Sequence, residues 1–225
     1  MDTEHLIEAL ARDVTPTRPL AAPSIRTAVW VAVSGLYVAL LIVFMSSNLE
    51  RVAAISAPRF WIEQMAAIAT GIAAAAAALI SVVPGRSART WLLPVIPFTV
   101  WLGTDVAGCV LDWTHLGADG LIVYSDWPCV VAKLPGAVPP AIAMALILKR
   151  GAPLTPATTA ALGGLAGAGL GSATACLSRP VPHGTTATAL VWHFGTLLVL
   201  VSIAAWSGHR LFRWPRVHDA TPVAR

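Results

Sequence analysis

The chain has 225 residues, 56% of them apolar and only 12% charged, with a formal net charge of +4 and a mean hydropathy of +0.72. That balance excludes an ordinary soluble domain and describes a polytopic membrane protein. The basic excess is a topology signal and not a nucleic-acid footprint, so direct nucleic-acid binding is not expected.

Residues 1–27 form a polar leader of mixed charge, unlike a cleavable signal peptide, which joins a short basic region to an apolar one. Leu6, Ile7, Leu10 and Val14 share an arc of about 100° on an α-helix, while Glu4, Glu8 and Arg12 follow one another at i+4 on the opposite face. Asp2 or Thr3 can cap this helix, and Pro16 and Pro19 stop it. A helix that lies on a membrane usually has a Lys- or Arg-rich polar face, whereas this one sets Asp2, Glu4, Glu8 and Asp13 against Arg12. An anionic leaflet repels such a face, so the expected partner of Leu6, Ile7, Leu10 and Val14 is a protein with an apolar groove and a basic rim.

Six stretches are apolar enough, and near enough to the roughly 20 residues required, to cross a hydrocarbon core: 28–45, 61–83, 90–110, 129–148, 157–177 and 186–206. The expected fold is an all-α integral membrane protein, with leader 1–27, a six-helix transmembrane domain 28–206 embedded in the lipid bilayer, and a basic tail 207–225. Arg12, Arg18, Arg26, Arg86, Arg89, Lys149, Arg150, Arg210, Arg213, Arg216 and Arg225 fall on one side, against Arg51, Arg59 and Arg179 on the other. The positive-inside rule then puts both termini in the cytoplasm. Trp30, Trp91 and Trp214 mark the inner interface, and Trp61, Trp113 and Trp127 the outer one.

Within the spans, Pro94 and Pro97 in the third and Pro135, Pro139 and Pro140 in the fourth remove backbone donors and predict bends. Gly163, Gly167 and Gly171 repeat at i+4 along the fifth and predict close helix approach. The connection 111–128 carries Asp112, His115, Asp119 and Asp126 without Lys or Arg, but lacks the spacing of a calcium loop.

All three cysteines fall on the outer side at a common depth: Cys109 closes the third span, Cys129 opens the fourth and Cys176 ends the fifth. In an oxidising envelope they can form one disulfide, leaving one thiol, or bind a metal. Asp105 lies four residues inside Cys109 and Lys133 four inside Cys129, about 6 Å along each helix. If the two spans pack antiparallel the charges meet below the sulfurs; otherwise Lys133 snorkels outward and Asp105 meets interfacial water. Cys129, Cys176 and His193 are the candidate ligands for a transient metal ion, with His183 in the preceding loop, although an intramembrane histidine more often makes an interhelical hydrogen bond. No phosphate-binding or haem-attachment motif is present, so no resident cofactor and no catalytic residue are expected. Two rival functions remain: a membrane thiol oxidoreductase, which commonly needs a Cys-x-x-Cys pair that is missing, and a solute transporter, which commonly shows repeats that are missing.

TEHLIEALARDVTPTRPL at 3–20, APRFWIEQMAAIATG at 57–71, SVVPGRS at 81–87, KRGAPL at 149–154 and Cys176 followed by Trp192-His193, in this order along six spans, resemble the NrsF family over the whole chain. These are six-helix anti-sigma factors of the bacterial inner membrane. The resemblance implies that the leader sequesters an extracytoplasmic-function sigma factor, and that outward-facing cysteines release it under metal or oxidative stress. It matches those cysteines to Cys129 and Cys176, with Cys109 outside the pattern. Depth and hairpin connectivity instead favour Cys109 with Cys129, so the partner of Cys129 stays open between the two.

Overall fold

The computed structural model describes residues 3–12, 20–45, 58–85, 87–151, 153–178 and 184–212. Among these residues the chain is all-helical, with seven α-helices and two short 3-10 helices. They are α1 (Thr3–Arg12), α2 (Pro23–Met45), α3 (Pro58–Ser81), α4 (Val95–Leu116), α5 (Trp127–Leu148), α6 (Pro156–Ser178) and α7 (Thr186–Leu211). α1 is too short and polar to span. The other six, with 3-10 turns extending α4 at both ends, are long and apolar enough to cross a membrane.

The glycine-rich α6 is the hub, with 83% of its apolar window buried, whereas α2 lies at the periphery with 17% buried. Three neighbours reach the α6 backbone because its surface has little relief. A methyl at Gly167 or Gly171 would strike Ala137 of α5, one at Gly169 would strike the backbone of Ala67 and Gly71 of α3, and one at Gly164 would strike Ala204 of α7. The expected close approach along Gly163, Gly167 and Gly171 is thus real and faces α5, and α6 repeats the device toward α3 and α7. The Ala74–Ala78 stretch of α3, all but Ala76 buried, joins Leu79, Met144, Leu148 and Trp30 in the larger apolar core. Where α5 and α7 part over α6 they leave an apolar groove of about 230 Å³ lined by Ala141, Gly164, Leu200 and Ala204.

Prolines divide into two classes. Pro94 stands at the N-cap of α4 and Pro97 in its first turn, where helical N–H groups lack partners anyway, so they start a helix instead of bending one. Pro135, Pro139 and Pro140 do lie inside α5. Pro139 cannot donate to the Pro135 carbonyl one turn earlier, and the Tyr37 hydroxyl of α2 donates to that oxygen at 2.9 Å. Trp30 Nε1 donates to the Pro140 carbonyl at 3.1 Å and Arg26 Nη2 to the Ile147 carbonyl at 2.9 Å. Trp30 is therefore a buried interhelical contact and not the interfacial anchor its position suggested, while Trp61, Trp91, Trp113 and Trp127 stay exposed.

The acidic connection after the third span is mostly helical. α4 continues to Leu116, a 3-10 turn spans Gly117–Leu121, and two of its carboxylates cap helices. Asp112 accepts from Thr186 N at 2.7 Å at the start of α7, and Asp126 accepts from Cys129 N at 3.3 Å at the start of α5.

Candidate sensing site

Polar side chains from five helices gather at the end of the bundle that holds all three cysteines. α3 begins at Pro58, and its first turns carry Arg59, Glu63 and Gln64. α4 brings Asp105 and Cys109, α5 brings Cys129 and Lys133 just inside the Asp126 cap, and α6 brings Cys176 near its last turn. α7 is capped by Thr185, whose hydroxyl accepts from Thr188 N at 3.2 Å, and places His193 two turns in.

Burial is extreme for such groups. Asp105, Lys133 and His193 are at most 1% exposed, and Cys129, Cys176 and Gln64 are also buried. Ionisable groups inside a membrane are costly, and they persist where neighbours compensate them. The Lys133 ammonium donates to the His193 carbonyl at 3.4 Å and lies within electrostatic reach of Cys129, Cys176, Asp105 and Asp126. Asp105 interacts electrostatically with both Arg59 and Lys133, but Lys133 closes no ion pair with it, and Asp105 Oδ2 has no hydrogen-bond partner. The two expected partners thus share one buried cluster at a distance, each turned to other groups.

Arg59, which the charge count assigned to an outer loop, belongs to α3 and packs its guanidinium onto Gly108 of α4. Only a residue without Cβ leaves room for it there. From that seat it acts electrostatically on Glu63, Asp105, Cys109 and Asp112.

All three cysteines are free thiols. Cys129 lies within electrostatic reach of Cys176 and both share Lys133, whereas the electrostatic neighbours of Cys109 are Asp105, Asp112 and Arg59. Cys109 is half-buried and Cys129 and Cys176 are buried. Cys176 Sγ stands 3.8 Å from His193 Nε2, and His193 Nδ1 stands 3.8 Å from Glu63 Oε1. Ligand atoms of Glu63, Cys176 and His193 lie within 4.8 Å of one another, a grouping that does not include Cys129.

Glu63 is the member that reading the sequence missed. The available signal was its place as the sole carboxylate within span 61–83. His183 and Arg179 lie outside the described residues, as does Val14 of the leader, and the side chains of Leu6 and Leu10 are likewise undescribed. Ile7 is exposed, and Glu8 pairs with Arg12 at 3.0 Å.

A family model described as negative regulator of sigma F, NrsF, matches residues 10–214, nearly the whole chain. No curated protein and no solved structure matches the chain.

Proposed function

The chain belongs to the NrsF family of negative regulators of sigma F, and from that premise we propose that it is a membrane-embedded anti-sigma factor of the bacterial inner membrane. Its leader sequesters a sigma factor of the extracytoplasmic-function type. Metal or oxidant acting on outward-facing thiols releases it. The family name describes a regulatory role, and no catalytic step is assigned to the chain.

The observation that carries this reading is a membrane bundle with a buried thiol cluster at one end and an amphipathic helix outside its spans. In the proposed orientation both termini are cytoplasmic, so Arg26, Lys149 and Arg150 sit at the inner end and Cys109, Cys129 and Cys176 at the outer end. Ile7, exposed on α1, meets the sigma factor together with Leu6, Leu10 and Val14, which the sequence periodicity assigns to the same face.

A path between the two ends runs through α5 and α2. α5 carries Cys129 and Lys133 at its outer end, and its interrupted backbone holds α2 through Tyr37, Trp30 and Arg26 in succession. α2 leads directly back to the leader. A change in α5 packing on thiol modification shifts α2, and a coupling of about 1 to 3 kcal/mol changes sigma occupancy 5- to 150-fold. Cys129→Ser is expected to lock the complex, read as loss of reporter induction by a thiol oxidant; a normal response overturns the thiol assignment.

The decisive experiment is capture from lysate on the full-length protein in detergent, beside Leu6→Asp and Leu10→Asp variants. A sigma factor held by the native protein and lost from both variants supports the reading. Equal capture by all three removes the leader from the mechanism, and no sigma factor on any of them overturns the proposal.

A further inference from the structure

We propose that Glu63, Cys176 and His193 form a binding site for a borderline-soft divalent cation of the zinc or cadmium kind, joining α3, α6 and α7. The site deepens the sensor reading and rests on it for its regulatory consequence, while its chemistry stands by itself.

Two observations carry it, the convergence of the donors and the spacing between two of them. The ligand atoms converge within 4.8 Å from helices far apart in sequence. Tetrahedral zinc, with bonds of about 2.0 to 2.3 Å, sets its ligand atoms roughly 3.3 to 3.8 Å apart. The 3.8 Å between Cys176 Sγ and His193 Nε2 already meets that spacing, and a Glu63 carboxylate oxygen lies within 4.8 Å of a ligand atom of each of the other two, so that drawing in its side chain by about an ångström closes the group.

The donor set selects the ion. One thiolate, one imidazole and one carboxylate form a mixed three-ligand set that leaves a fourth position open. Magnesium and calcium need mostly oxygen ligands, and a single carboxylate does not supply them. Binding replaces the Cys176 thiol proton, released to solvent, with an Sγ–metal bond. The thiolate and the Glu63 carboxylate then offset the two charges of the cation, as a low-dielectric site requires. Around them the formal charges of Lys133 and Arg59 stand against those of Asp105 and Asp112. Gln64, whose amide lies against the Cys176 sulfur, supplies outer support.

This assignment exchanges Cys129 for Glu63 in the ligand set expected from sequence. Cys129 remains beside Lys133 as a separate thiol, and Cys109 belongs to the Arg59–Asp105 group.

The test is titration of the purified full-length protein in detergent with Co(II), read by its thiolate charge-transfer absorbance, followed by displacement with Zn(II). Wild-type protein is expected to bind one ion. Glu63→Gln, Cys176→Ser and His193→Gln are expected to weaken binding at least about tenfold, and Cys109→Ser and Cys129→Ser to change it by less than about twofold. Because a core variant can fail to fold, each is also melted with and without Zn(II): a folded Glu63→Gln protein that loses the zinc-dependent rise in Tm supports the site. No thiolate–Co(II) band in wild type overturns the proposal, as does unchanged affinity in Glu63→Gln or loss of binding in Cys129→Ser. Sigma capture by the same preparations reads the sensor hypothesis separately, so a protein that binds Co(II) without binding a sigma factor keeps the site and loses only its role.

Discussion

The Tyr37 hydroxyl donates at 2.9 Å to the Pro135 carbonyl, the oxygen that Pro139 deprives of its helical donor. A defect in the α5 backbone is thereby repaired by a side chain of α2. Tyr37→Phe removes the repair and is expected to cost about 1 kcal/mol. Pro139→Ala restores an N–H within α5, and in that background the same Tyr37→Phe change is expected to cost much less. Thermal unfolding of the four proteins in detergent checks this, and equal costs in both backgrounds refute it.

The glycines make opposite predictions according to their surroundings. Gly171→Ala drives a methyl against Ala137 and the Lys133 carbonyl, and is expected to destabilise by about 1 to 3 kcal/mol. Gly35→Ala meets nothing within 4 Å and is expected to gain several tenths of a kcal/mol from helix propensity. Melting temperatures moving in the same direction for both would contradict the packing described.

Asp112 accepts from Thr186 N at 2.7 Å and so holds the start of α7 from α4. Asp112→Ala leaves the first turn of α7 without this cap, at an expected cost of about 0.5 to 2 kcal/mol. Asp119→Ala, in the same connection, serves as the control, because Asp119 does not cap α7 and lies exposed. Hydrogen exchange localised to the N-terminal turn of α7 should rise in the first variant only.

Thiol exposure ranks the cysteines. Cys109 is half-buried, whereas Cys129 and Cys176 are buried. A membrane-impermeant maleimide applied to intact cells is expected to modify Cys109 first, with Cys129 and Cys176 reacting at comparable rates only after denaturation. Modification from the cytoplasmic side of inverted vesicles instead would reverse the proposed orientation.

Much of this architecture was legible because helices long and apolar enough to cross a bilayer announce themselves in sequence. Each crossing needs an unbroken apolar run, and the flanking Arg and Lys residues delimit the runs, so all six spans were visible. The third was misjudged at its ends: Pro94 delays α4 to Val95, and the acidic segment beyond residue 110 stays helical to Leu116, with Asp112 capping α7. The buried cluster was half legible. Asp105, Lys133, Cys176 and His193 were visible as polar groups within apolar runs. Arg59 and Glu63 were passed over because they stand at the start of a span, where charges are ordinary. Only the tertiary placement of α3 against Gly108 and His193 turns that entry into a wall of the site.

The small residues of α6 also set how the bundle can move. Interlocked leucines let helices exchange positions only by rotamer jumps, but a rod surfaced with glycine and alanine gives its neighbours few teeth to clear. Helix α6 is therefore a smooth rod on which α3, α5 and α7 rest in near backbone contact. In the sensor reading proposed above, a displacement begun among the buried thiols meets few interlocked side chains along such a shaft.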